Sequence, residues 1–129
     1  MQIAEVAQRY GVSVDTIRYY ERIGLIPRVN RTPSGIRDFT EHDCGWVEFI
    51  RCMRNSGMQI EALIEYVALF QKGEHTAAAR RELLVEQREK LIAKAEELAA
   101  TIARLNDKIE NYYREGECSD GGDEWLRKD

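Results

Sequence analysis

Between residues 16 and 37 the chain reads Thr16-Ile17-Arg18-Tyr19-Tyr20-Glu21-Arg22-Ile23-Gly24-Leu25-Ile26-Pro27, followed by Arg28-Val29-Asn30-Arg31-Thr32-Pro33-Ser34-Gly35-Ile36-Arg37. Five of these residues are arginines and one, Glu21, is an acid, a local net charge of +4. The planar guanidinium fork suits bidentate contact with phosphate or guanine, so this stretch points to nucleic acid. The full chain of 129 residues carries net charge -4, which argues the other way until its placement is considered. Residues 115–129 hold six acids against Arg127 and Lys128, leaving residues 1–114 at zero. All eight basic residues among the first 71 are arginines, and the first lysine is Lys72.

Upstream of this stretch, Ile3, Val6, Ala7 and Tyr10 recur at helical spacing and Gly11 supplies a stop. Ser13 is placed to cap a second helix through Thr16, Ile17, Tyr20 and Glu21. Two short helices separated by a glycine-containing turn predict a helix-turn-helix. Gly24 and Pro27 end the second helix, and the turn chemistry of Asn30, Pro33, Ser34 and Gly35 predicts a small two-stranded β-hairpin wing over 28–39. Downstream, Thr40-Glu41-His42-Asp43 is a capping box for a third helix with Trp46, Phe49, Ile50 and Met53 on one face. Gly57 closes it. A fourth helix from about Gln59 to Gln71 buries Ile60, Leu63, Ile64, Val67 and Phe70, and the polar break at Lys72 to His75 marks a boundary.

From Thr76, a candidate N-cap, to Tyr113 there is no Gly or Pro, so a single helix of roughly 57 Å is expected. Leu84, Leu91, Leu98, Leu105 and Tyr112 fall every seventh residue, interleaved with Ala95, Ile102 and Ile109. This is the a/d seam of a coiled coil, interrupted only by Arg88, and a lone helix cannot hide it. Self-association is the direct reading; folding back onto residues 1–70 is the alternative, and the seam outruns that small region. The expected fold is therefore mainly α: a winged helix-turn-helix DNA-binding domain over 1–73, a dimerisation helix over 74–114, and an acidic flexible tail over 115–129.

Other classes are excluded on composition. Charged residues are 33% and hydrophobic ones 43%, and the longest apolar run, Tyr66 to Phe70, is too short for a membrane span. The opening residues lack a basic signal-peptide region, so a cytoplasmic chain with no membrane partner is expected. Cys44, Cys52 and Cys118 are odd in number and widely spaced, which predicts free thiols. His42 and His75 have no Ser/Asp or Gly-rich phosphate-loop companions, so no catalytic residue and no cofactor is expected. A coiled-coil adaptor without DNA contact would account for 76–113 but leaves the arginine loop unexplained.

The arginine-tyrosine-tyrosine-glutamate run at 18–21, joined to Gly24-Leu25-Ile26-Pro27 and to Ser34-Gly35-Ile36-Arg37, resembles the MerR family of transcription regulators. The resemblance covers the chain in order, with Ile36 replacing the commoner aromatic after the loop glycine. It implies a homodimer with an antiparallel coiled coil, double-stranded promoter DNA as partner, and a distorted promoter spacer through which RNA polymerase is engaged indirectly. Independently of family, Ser13 at the start of helix 2 sets Val14, Thr16, Arg18 and Tyr19 where a recognition helix meets the major groove. Adjacent tyrosines point apart. The resemblance makes Tyr19 the DNA-facing one, which leaves Tyr20 for the core. Asp15 either reads a cytosine amino group or, preferably, strengthens the helix N-terminus. In the wing, Arg37 is the leading phosphate candidate, with Arg28 and Arg31 behind it and a solvated basic loop as the alternative for each.

The sensor is read from the thiols. Metal-sensing branches of the family place a cysteine at the start of the dimerisation helix and more in a loop after it. Here that start is Glu74-His75-Thr76 and only Cys118 follows, short of a four-ligand site, so a metal-responsive regulator using Cys118 and His75 is the lesser alternative. Phe49-Ile50-Arg51-Cys52-Met53-Arg54-Asn55 followed by Ile60-Glu61-Ala62-Leu63-Ile64-Glu65-Tyr66 looks like the aldehyde- and thiol-stress branch (NmlR/AdhR-like). In that branch a single cysteine matching Cys52 is the proposed sensor of a reactive electrophile or oxidant. On a helical wheel Cys52 falls at the margin of the third helix's apolar face, and Cys44 nearly opposite it, which predicts an exposed Cys44.

Overall fold

The computed structural model describes residues 1–115. Of the acidic tail expected over 115–129, only Glu115, the last residue of α5, is among them; the rest, Cys118 included, lies outside the described residues. The order of elements is α1 (Ile3–Tyr10), α2 (Val14–Ile23), α3 (Glu41–Asn55), α4 (Ile60–Lys72), a 3-10 turn (Glu74–Thr76) and α5 (Ala77–Glu115).

Each early helix begins and ends where its capping chemistry dictates. Gly11 closes α1 at φ +66°, a left-handed conformation that disfavours a side chain, and its amide returns to the Ala7 carbonyl. Ser13 then caps α2: its Oγ accepts the Thr16 amide at 3.1 Å. Gly24 ends α2 at φ +84°, with its amide on the Glu21 and Tyr20 carbonyls. The capping box of α3 is complete, Thr40 Oγ1 accepting the Asp43 amide at 3.1 Å and Asp43 Oδ2 accepting the Thr40 amide at 2.9 Å.

The apolar sides of α1, α2, α3 and α4 enclose one core. Val6, Ile17, Leu25, Val47, Ile50, Leu63 and Val67 are essentially inaccessible to solvent. Burying a side chain of this kind contributes about 1.5–3 kcal/mol, which is what holds the short α1 and α2 in place, since neither is long enough to persist alone. Between α3 and α4 the packing is aromatic. The Trp46 ring lies edge-on to Phe70 at 5.0 Å between centroids, and Phe49 meets Tyr66 at 5.7 Å. The Trp46 indole N–H donates to His42 Nε2 at 3.2 Å, so this buried polar tip is satisfied within its own helix.

The β-hairpin wing expected over 28–39 does not form. Among the described residues there is no β-strand; the segment makes one isolated antiparallel bridge, Arg31 with Arg37. The reason is local. The Thr32 to Gly35 turn, closed by the Gly35 amide on the Thr32 carbonyl at 2.8 Å, consumes the middle of the segment, and Pro33 has no amide to offer a ladder. What remains is a loop with hairpin-like closures, Thr32 amide to Ile36 carbonyl at 2.7 Å and Asp38 amide to Asn30 carbonyl at 2.8 Å.

Helix α5 runs for 39 residues without interruption. Thr76 does not act as the expected cap; its hydroxyl donates instead to the carbonyls of Leu69 and Gly73, both at 2.7 Å, knitting the end of α4 to the turn. The chain divides into two compact units, Met1–Glu89 and a second beginning at Lys90. The first turns of α5 belong to the first unit, where Gln87 is buried and Leu84 half-buried. In the second unit Leu98, Ile102, Leu105 and Ile109 are each more than half exposed.

Candidate nucleic-acid interface

Arg18 lies on α2 and Arg28, Arg31 and Arg37 on the loop that follows, yet the fold brings all four together. With Glu21 and Arg22 they line a hollow of about 450 Å³. Neither segment could assemble it alone, because the loop residues reach α2 only when the turn after Pro27 folds back. Arg18, Arg22, Arg28 and Arg31 are exposed, while Arg37 is only partly so. Arg18 makes a loose pair with the exposed Asp15 at 3.4 Å, which is worth little in water. Arg31 donates to the Gly35 carbonyl at 3.1 Å and so braces the turn.

Glu21, the last residue of the 18–21 run and the one acid among these arginines, holds the hollow together. Its Oε1 accepts the Arg37 Nε–H at 2.7 Å and its Oε2 accepts the Val29 amide at 2.7 Å. Burial pushes the Glu21 carboxyl up, but the hydrogen bonds from Arg37 and the Val29 amide, with the charges of Arg37 and Arg31, outweigh it and hold the group below the ordinary carboxylate value. The cue in the sequence was a single acid among five arginines. Arg22 also went unselected; its guanidinium lies 5.5 Å from the centre of the Tyr19 ring and orients it.

At the start of α2, the Ser13 and Thr16 hydroxyls lie 2.7 Å apart and Ser13 Oγ also holds the cap. Val14 and Thr16 are half-buried, and Tyr19 is 38% exposed while Tyr20 is buried. The two adjacent rings therefore do point apart, one outward and one into the core.

One of the two described thiols departs from its wheel position, Cys44. Cys52 is exposed and Cys44 is buried. A wheel measures faces against one partner, whereas α3 packs against α4 on one side and α1 on the other, and Cys44 sits under α1 with its Sγ 4.0 Å from Met1 Sδ. Burial and then Glu41 push the Cys44 thiol up, so it is a poor nucleophile near neutral pH. Of the arginines flanking Cys52, Arg54 is committed to the Met58 carbonyl at 2.8 Å. Among the described residues no group of three or more His, Cys, Asp and Glu is arranged to hold a metal ion, and His75 lies on the 3-10 turn with Cys118 outside the described residues. No helix among them is long and apolar enough to cross a membrane.

Comparison with known proteins places this geometry. The chain is 55% identical over 92 residues to the HTH-type transcriptional regulator AdhR of Bacillus subtilis, an alignment spanning 71% of this chain and 66% of that protein. A crystal structure of a protein from Listeria monocytogenes assigned to the MerR transcriptional regulators superposes with a TM-score of 0.85 at 51% identity, over 87% of this chain and 85% of that one. The structure of HiNmlR, a MerR family regulator lacking the sensor domain, bound to promoter DNA, superposes with a TM-score of 0.79 at 28% identity, over 88% and 90% of the two chains. The sequence pattern of the MerR HTH family of regulatory proteins matches residues 1–69, and that of the MerR DNA-binding region matches residues 45–108. Helix-turn-helix, arginine loop, helix pair and long helix thus occur here in the order of the family, and the chain belongs to the MerR family of helix-turn-helix regulatory proteins.

Proposed function

We propose that the chain is a DNA-binding transcription regulator that works as a homodimer on a pseudo-palindromic promoter site. The observation that carries this is the arginine hollow beside α2: five guanidiniums from two segments gathered against one carboxylate, on the helix that a helix-turn-helix presents to the major groove. The likeness to a regulator solved on promoter DNA supports it. Arg18, with Tyr19 beside it, reads or flanks base edges, Arg28, Arg31 and Arg37 hold phosphate, and the exposed seam of α5 pairs two copies. Two recognition units on one rigid dimer strain the spacer between half-sites, so control is exerted through DNA shape. Binding by three or four phosphates per subunit gives a log-log salt slope of about -5 to -7. A slope near zero in a fluorescence-anisotropy titration sinks the phosphate assignment.

The same proposal gives Cys52 the signal. It is the exposed thiol of the two described, and the resemblance of residues 49–66 to the aldehyde- and thiol-stress branch supports a reactive electrophile as inducer. An adduct there would bias an equilibrium between two DNA-bound shapes, for which a differential effect of a few kcal/mol, about 5.5 for a nearly complete switch, suffices. Cys52→Ser keeps dimerisation and basal DNA binding and loses the transcriptional response to aldehyde, while Cys44→Ser responds normally. Intact-protein mass spectrometry should find the adduct on Cys52 well before Cys44. A normal response in Cys52→Ser reduces that cysteine to surface chemistry.

A further inference from the structure

An acid in the middle of a surface built to meet a polyanion is a cost. Glu21 removes one of the five positive charges its neighbours supply and lies in the hollow they line. Its side chain is 11% exposed and that of Arg37 is 21% exposed, so the pair is sheltered from solvent rather than a passing surface contact. The carboxylate spends both oxygens on the loop, one on the Arg37 Nε–H and one on the Val29 amide. Val29 is itself 2% exposed, so without Glu21 its amide would be a buried donor lacking this partner.

These two bonds have a geometric consequence. A guanidinium that donates through Nε is fixed in plane and keeps only its terminal N–H groups for another acceptor. The loop in turn has no β-ladder to stiffen it, only the single Arg31 and Arg37 bridge. Resting on the DNA-binding function proposed above, we propose that Glu21 is a positioning residue for DNA binding: its carboxylate clamps the Arg28–Arg37 loop onto α2 and aims Arg37, so that the loop arginines meet the phosphate backbone beside the bases that Arg18 faces. Glu21 touches no DNA in this arrangement. It does the work that strand pairing would do in a longer hairpin.

Charge and position predict opposite signs, which makes the test decisive. A duplex enriched by the wild-type protein from a random-sequence pool serves as the probe, and affinity is read by anisotropy at several salt concentrations, below the melting temperatures. If the wild-type protein enriches no duplex, the DNA-binding function is overturned and this inference with it. Glu21→Gln adds one unit of positive charge to the surface, yet should bind about tenfold or more weakly, with an equal or shallower salt slope. Equal or tighter binding by that variant overturns the inference and leaves the function standing. Should Glu21→Gln prove unfolded by circular dichroism, Arg37→Lys decides, since it retains charge and loses the Nε fork: comparable weakening supports the clamp, and wild-type affinity overturns it. In the double variant the losses should not multiply; a full product of the two would mean that Glu21 and Arg37 act separately.

Discussion

The arginine region and the far part of α5 leave opposite things unfinished. From Thr16 to Arg37 the apolar residues Ile17, Tyr20, Leu25, Ile26 and Val29 are hidden, Tyr19 and Ile36 reach solvent singly, and the surplus that gathers on the surface is positive charge. From Lys90 onward charges of both signs are interspersed along the helix, and what is left over is an apolar seam, with Leu98 64% and Leu105 56% exposed. Surplus charge calls for a polyanion and surplus apolar surface for a partner that excludes water; each region names the chemistry of its partner by what it lacks.

The largest effect should come from placing a charge in the seam. Leu98→Asp or Leu105→Asp alters a residue already facing solvent, so the folded unit Met1–Glu89 should melt as before. A dimer would bury that carboxylate in both copies, at several kcal/mol each, which weakens association about a hundredfold or more and takes DNA binding with it. Sedimentation that finds either variant still a tight dimer would erase the contrast between the two regions.

Smaller, and confined to the first region, are the arginine truncations. Arg18→Ala and Arg37→Ala should each cost about 1–3 kcal/mol in DNA affinity, the former by changing sequence preference and the latter uniformly across sites. Arg37→Ala also removes the partner of Glu21, and this gives a separate signature in acid. A carboxyl held below its ordinary value contributes stability that is complete above the unfolded value and is lost as pH falls through the folded one. In melts taken from about pH 5 down to about pH 3, the wild type should lose stability that Arg37→Ala has already forfeited. Parallel pH curves for the two proteins would mean the pair adds nothing to folding.

The smallest effect belongs to Ser13. Its Oγ is occupied by the Thr16 amide and lies beside the Thr16 hydroxyl, so Ser13→Ala should cost about 1 kcal/mol of folding stability through the lost cap. Urea denaturation measures it, and DNA affinity corrected for folding should move less than for Arg18→Ala. A larger loss in affinity than in stability would make Ser13 a DNA contact instead.

Helix positions were legible because their signals are local: Gly11, Ser13, Gly24 and the Thr40/Asp43 box each act within four residues. The loop was misread because turn residues announce a reversal but say nothing of how many ladder bonds follow it, and Pro33 and the four-residue turn leave room for one bridge. Cys44 was misread because a helical wheel has no way to register a second packing partner, here α1. The four selected arginines do share one hollow, but its organiser, Glu21, is found through two hydrogen bonds spanning 8 and 16 residues, which no periodicity reports.

One property of the arginine surface reaches beyond binding. Residues 1–71 contain no lysine. A lysine ammonium gives up its proton readily when it is desolvated, whereas a guanidinium stays protonated at any physiological pH. The charge of these five arginines is therefore the same whether the surface is bare or covered by a phosphate backbone. What the surface offers a polyanion is thereby fixed by its residues and not by the pH around it.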